Sequence, residues 1–404
     1  GDITVSRTFD GDSNWEGNSY QVASQSINIS PQEGQSAGLI PNDLSGKVAI
    51  WGGFGGGLYL SDLTITLGSE WDYGAAFSRN GHGSVNNVTI IGPDTPNGVG
   101  IFLQEGAQAY VLGVNISKVV WGINGNNNAT IRFVGDPSTI SSQYEGVKVV
   151  ASSVRQQADI TVTSAEGRSL ELDGGSNWMG WEQNITATGS DVWIGGGSTL
   201  AIGTLDVMTG VVNVENTSLL RASNLSSTDN LQVSTNSEVN VDTVAVGGNV
   251  NLFMSKFLTG NLTTVGFDLW NSSAHIGGGT ISASTTVNEK SFIRAENTTF
   301  DHILLERSST LSASSITARN IQGLSNSVLD AATSTITEEL SLGGNSTSIL
   351  QDVIFNGATF NIIQSIVRID GTTKMPISKL ACYGLSQVEY EGSYNILQTA
   401  PNSN

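Results

Sequence analysis

The densest set of reactive side chains in the sequence runs Glu70-Trp71-Asp72-Tyr73 and continues through Arg79-Asn80-Gly81-His82-Gly83. Glycoside hydrolysis needs two carboxylates flanking the scissile bond, about 5 to 10 Å apart according to the stereochemistry. On a strand, residues i and i+2 face the same way roughly 6.6 to 7 Å apart. Glu70 and Asp72 therefore satisfy that spacing, with His82 as a third candidate catalytic group. Trp71 and Tyr73 offer flat faces on which a sugar can stack, and Arg79 offers a charged donor. An acidic, solvated turn with an aromatic ring tucked into its edge is the other reading of the same stretch.

Trp178-Met-Gly-Trp181-Glu182, preceded by Asp173-Gly-Gly-Ser-Asn, reads as a long loop. Two tryptophans are costly to leave in water without a purpose, so they stack on a glycan, meet another subunit, or close the loop over the side of the fold. Asp10-Gly-Asp12-Ser-Asn14 resembles the opening of a calcium loop, because hard oxygen ligands at alternate positions suit Ca²⁺. Trp15 and Gln21 stand where such a loop wants Gly and Glu, and an Asp/Asn-rich turn is the alternative. His275 and His302 have no second histidine or cysteine near them in sequence, so no metal site is read there. Apart from Ca²⁺ at Asp10, Asp12 and Asn14, no cofactor is expected. Cys382, the only cysteine, reads as a small buried apolar residue.

Composition narrows the partners. The chain of 404 residues carries 36 acidic against 17 basic side chains, a net charge of −19. A nucleic-acid binder needs clustered Lys and Arg, so that class is excluded. A single cysteine excludes a disulfide scaffold. No apolar run is long enough to span a bilayer as a helix, and no basic region followed by an apolar one marks a signal peptide at the first residues. Acidity, scarce lysine and 48 glycines among many Ser, Thr and Asn suit a polar surface outside a cell.

The elements that must carry these residues come from a repeat. Short segments opening with Ser recur about every 17 to 20 residues: Ser218-Leu-Leu, Ser237-Glu-Val, Ser291-Phe-Ile, Ser309-Thr-Leu, Ser327-Val-Leu and Ser365-Ile-Val. The pattern slips by one residue at His275-Ile276 and Ile349-Leu350. Each unit adds two more apolar pulses, such as Ile316 and Ile321 after Leu311, and the alternation within a pulse has period two. No helical stripe is present, and no ladder of Asn-Gly hairpins. A unit of this size cannot bury itself and must stack on copies of itself. At roughly 3.3 Å per residue it closes a perimeter near 60 Å, enough for three short strands and three turns.

The expected fold is all-β, a parallel β-helix with about 18 to 20 residues per coil in the C-terminal half. Irregular spacing favours the right-handed form over the hexapeptide-based left-handed one. Residues 1–44 read as an irregular cap, 45–197 as loop-bearing coils, 198–374 as regular coils and 375–404 as a C-terminal cap. One continuous solenoid is expected in preference to two domains.

The stretch Gly83-Ser-Val-Asn-Asn-Val-Thr-Ile-Ile-Gly-Pro, with Gly98-Val-Gly-Ile-Phe-Leu and Val111-Leu-Gly-Val-Asn-Ile-Ser, resembles right-handed β-helix proteins of the pectate-lyase-like superfamily, bacteriophage tailspikes and tail fibres above all. The resemblance covers the rhythm of about residues 45–375. It implies a homotrimer on a virion tail, or otherwise extracellular, that binds a host-surface polysaccharide. It also implies two alternatives, a glycoside hydrolase or polysaccharide lyase, and a secreted bacterial adhesin. Gly81-His82-Gly83 matches a tripeptide of polygalacturonase-type glycosidases of this fold. The adjacent aspartates and the Arg-x-Lys pair that accompany it there are missing here.

Overall fold

A computed structural model describes residues 4–9, 13–17, 20–23, 26–31, 37–41, 48–53, 55–67, 73–93, 98–373 and 379–391. Its described residues form strands and turns and no helix, and every strand pairing is parallel: a β-solenoid of about 14 turns. Among the described residues no helix is long and apolar enough to cross a membrane. By compactness the chain divides into two units, Gly1–Thr228 and Asp229–Asn404.

From Phe292 to Leu342 a coil is a short strand followed by a longer one. Thr310–Ser314 and Thr317–Gly323 make one coil, and Val328–Ala332 and Thr335–Leu342 repeat it directly on top. Alternate side chains point inward, so Leu311, Ala313, Ile316, Ala318 and Ile321 are all buried. Each inward residue stacks on its counterpart one coil away, and burial of these columns is what a lone coil lacks.

The serines that open each repeat have a specific place. Ser237, Ser255, Ser272, Ser291, Ser309, Ser327, Ser346 and Ser365 are all buried, none more than 7% exposed. Each follows a tight corner whose residues have positive φ, such as Ser325 and Asn326 (55° and 63°) before Ser327. A corner that sharp strands backbone groups away from water, and the serine hydroxyl satisfies them. Ser272 Oγ accepts from the Ser255 backbone N–H (3.0 Å, 17 residues earlier) and donates to the carbonyl of Trp270 (2.8 Å). Ser291 Oγ accepts from the Ser272 N–H at 3.1 Å, 19 residues earlier, so the bonds form a ladder. Ser309 is the exception, its hydroxyl lacking a partner.

The first unit has the same ladder at wider intervals. Ser152 N–H donates to Ser176 Oγ across 24 residues, Ser176 to Ser198 across 22, and Ser198 to Ser218 across 20. The corner stays in place while the rest of the coil lengthens, as expected for coils that carry loops.

Two expectations are corrected. The repeat does not slip at His275-Ile276 or Ile349-Leu350. Ala274 pairs with Phe257 and Ile293, and Ser348 with Leu329 and Val367, without a shift. Small residues fill the inward position there, which leaves Ile349 outside at 38% exposure and gives the sequence a false phase. Cys382 is exposed. It pairs with Ile362 in an otherwise buried column, but its strand Lys379–Tyr383 has a described neighbour on one side only.

Candidate functional site

Sequence reasoning placed its reactive residues in the first unit, and there the outward faces of the coils decide what they can do. Glu70, Trp71 and Asp72 lie outside the described residues, as do Asp10 and Asp12; of Asn14 only the backbone, in strand Ser13–Gly17, is described. Among the described residues no group of three or more His, Cys, Asp or Glu side chains is arranged to hold a metal ion.

His82 opens strand His82–Asn86 and is exposed. The following Gly83 lets this strand approach the previous coil so closely that a Cβ there would lie 1.6 Å from the Leu58 carbonyl oxygen. That approach sets the imidazole edge-on to Tyr59, ring centres 6.2 Å apart and planes at 81°. Tyr59, Asn80, His82, Gln108 and Tyr110 line a groove of about 310 Å³. Arg79 and Asn80 form the turn above it, both with positive φ, and Arg79 is held by an exposed ion pair to Glu105 at 3.5 Å.

The groove continues as one outward column. Tyr59, Ser84, Tyr110, Arg132, Arg155 and Met179 occupy successive coils at the same register. Arg132 Nη1 donates to the Tyr110 hydroxyl at 2.7 Å, with its guanidinium 5.1 Å from the centre of that ring. Arg132 and Arg155 are direct ladder partners, and among the described residues neither forms an ion pair with an acid. Like charges directly opposite on a sheet are unfavourable, so this pair concentrates positive charge on a protein that is otherwise strongly acidic.

The Trp178–Trp181 stretch is not a loop. It forms part of the strand Asn177–Thr188. Trp178 faces inward with no exposed surface, its ring stacked on Phe133 (5.7 Å, 18°) and its Nε1 donating to Gln156 Oε1 at 2.8 Å. Trp181 faces out at 55% exposure, two residues along from Met179. Of the two rings, only Trp181 is accessible to a ligand.

Tyr73 stands on another face, in strand Tyr73–Phe77, with its ring 4.9 Å from Phe102. This face follows a column of glycines: Gly74, Gly100, Gly122 and Gly146 on successive coils. A Cβ on Gly122 would lie 2.2 Å from Ile140 Cγ2 and 2.3 Å from the Gly146 carbonyl oxygen. The residues just before these glycines, Tyr73, Val99, Trp121 and Glu145, are brought into line. The acid in that line faces a charged cluster which the sequence did not reveal. Glu171, 6% exposed, binds Lys148 and Arg168, each at 3.0 Å, and Arg168 lies 4.4 Å over the Trp193 ring. Burial pushes the Glu145 carboxyl above the ordinary carboxylate range; Lys148 opposes the rise and the Glu171 charge adds to it. The face thus carries one carboxylate bound to two cations, Glu171, and one without a described cation at bonding distance, Glu145, whose pKa burial raises.

A raised pKa in the folded state means that folding favours protonated Glu145. Its contribution to stability is full below the unfolded value near ~4.3 and is lost as pH rises through the folded value. Glu145→Gln, which imitates the neutral form, should therefore raise the stability of the protein at pH 7, by a small amount because solvent still reaches the group. The difference from wild type should vanish near pH 4. Paired thermal melts at the two pH values check this, and an equal offset at both would show that Glu145 titrates normally.

Compared with family models, with curated proteins and with solved structures, the chain matches none.

Proposed function

We propose that this solenoid binds an anionic polysaccharide of a cell surface along the column Tyr59, Tyr110, Arg132 and Arg155, with His82 and Gln108 beside it. The carrying observation is the Arg132–Arg155 ladder step, which no described acid neutralises, next to exposed tyrosine rings. Arginine binds a carboxylate or sulfate through two parallel hydrogen bonds, and a tyrosine ring with its hydroxyl gives a sugar both a flat face and a hydrogen bond. Sites of this kind combine aromatic walls with a few placed polar groups. The setting follows the resemblance of the repeat to phage tailspikes: a right-handed helix, a homotrimer, a virion tail or another extracellular position. A secreted adhesin would use the same chemistry.

The test is retention on a panel of capsular and lipopolysaccharide glycans bearing uronate, sialate or sulfate. Tyr110→Ala and Arg155→Gln should each weaken binding about tenfold, and raising salt from 50 to 500 mM should weaken wild type. Failure of every acidic glycan to bind, or binding indifferent to both variants, would refute the proposal. Sedimentation as a clean monomer at micromolar concentration would count against the spike setting.

Hydrolysis is the second reading, favoured by the Glu145–Glu171 pair. New reducing ends released from the same panel, and their loss in Glu145→Gln, would establish it in place of binding alone.

A further inference from the structure

The second unit carries a groove that the column above does not touch. Two outward rows run side by side across its coils. Gln232, Asn251, Asp268 and Thr286 are ladder partners in one row, and Ser234, Phe253, Trp270 and Asn288 in the other. Members of the two rows are two residues apart on each strand, so they stand about 6.6 Å from one another on the same face. Val233, Leu252 and Leu269 make the floor. The space between is about 460 Å³.

Phe253 and Trp270 are 48% and 39% exposed, large apolar rings left in water on adjacent coils. Arg307 lies 5.7 Å from the centre of the Trp270 ring and is itself fixed by Glu289 at 2.8 Å, which steadies the tryptophan. The facing row offers amide, carboxylate and hydroxyl groups, and the side chains of Gln232, Asn251, Asp268 and Thr286 make no hydrogen bond to other described residues. A purely apolar partner would cover these groups and leave them unpaired, at a cost. Asp268 is the single charged side chain in the groove, which disfavours a phosphate, sulfate or uronate chain.

We infer that this groove is a second binding site, for an uncharged oligosaccharide whose ring faces stack on Phe253 and Trp270 and whose hydroxyls hydrogen-bond to Asn251, Asp268 and Gln232. It shares with the preceding proposal only the expectation of a saccharide ligand. The residues differ, and this site takes a neutral ligand where the other takes an anionic one.

The experiment uses the full chain on an array of neutral and acidic glycans, with Trp270→Ala, Phe253→Ala and Arg155→Gln compared with wild type. Circular dichroism and sedimentation are recorded for each. Neutral glycans should bind wild type and Arg155→Gln equally, and bind Trp270→Ala and Phe253→Ala about tenfold more weakly or worse. Asp268→Asn should keep neutral binding within a few-fold and, combined with Arg155→Gln, restore binding of acidic glycans. The proposal is overturned if no neutral glycan binds wild type above the Trp270→Ala background, or if neutral binding is lost in Arg155→Gln instead. It is also overturned if Trp270→Ala changes only the sedimentation coefficient, since the groove would then be a contact between copies of the chain. Failure of wild type to bind any acidic glycan, with neutral binding intact, would sink the first-unit proposal and leave this one standing.

Discussion

Trp178→Ala is expected to cost about 3–5 kcal/mol of stability, the range for removing a large aromatic ring from a core. The ring has no exposed surface, and its column neighbours are Val154 and Leu200. Losing it opens a cavity against Phe133 and strands the Gln156 Oε1 acceptor, which is itself buried. The two losses overlap, so they do not simply add. Gln156 is also tied by its Nε2 to the carbonyls of Ala158 and Asn184, so its amide cannot easily turn to find water. Trp181→Ala, three residues away on the same strand and pointing out, should stay within about 0.5 kcal/mol. Urea unfolding of both variants gives the answer in one comparison. Equal midpoints would show that the inward and outward assignments on Asn177–Thr188 are wrong.

Ser272→Ala is the second large effect, about 1–3 kcal/mol, from the deletion of one oxygen atom. The hydroxyl is the buried acceptor of the Ser255 N–H and donates to the Trp270 carbonyl, which keeps the Met254 N–H (2.9 Å) as a second partner, so the substitution strands one donor. Each buried group left without a partner costs about 1–3 kcal/mol. Ser314→Ala, on an exposed strand position, supplies the control and should change little. Because coils contact chiefly their neighbours, the damage should be local. Hydrogen exchange at the Ser255 amide should accelerate strongly, while amides several coils away keep their protection. Uniform acceleration throughout the unit would mean instead that the ladder is one cooperative element.

The coil was readable in the sequence because its signal is local. Period-two pulses and a leading serine recur wherever the corner recurs, and the corner requires the same small hydroxyl each time. The role of that serine was not readable, since a serine beside Asn-Ser or Arg-Ser looks like any polar turn until its hydroxyl is seen pointing inward. Ala274 and Ser348 misled for a related reason. They occupy apolar columns without being large, and the adjacent His275 and Ile349 took the apparent phase. Trp178 and Trp181 look equivalent in a polar, glycine-rich stretch, and only the strand's alternation separates a core ring from a surface one. The outward faces of the first unit were the least accessible. Coil length there changes from turn to turn, so Tyr59, Tyr110 and Arg132, or Glu145 and Glu171, meet at no constant spacing. Had the strands been aligned on Gly83-Ser-Val and Ala109-Tyr-Val, Tyr110 would have fallen into the His82 neighbourhood.

The serine corner also governs how a chain of this kind can change length over generations. One residue inserted within a strand between Ser309 and Ser327, such as Thr317–Gly323, would turn the side chains that follow it on that strand to the opposite face. A duplicated block of one full coil, such as the 19 residues that separate Ser327 from Ser346, returns every serine to its place. Heritable growth is thus quantised in coils. Single insertions survive only in the turns between ladder positions, and the first unit's intervals of 24, 22 and 20 residues have the form such insertions would leave.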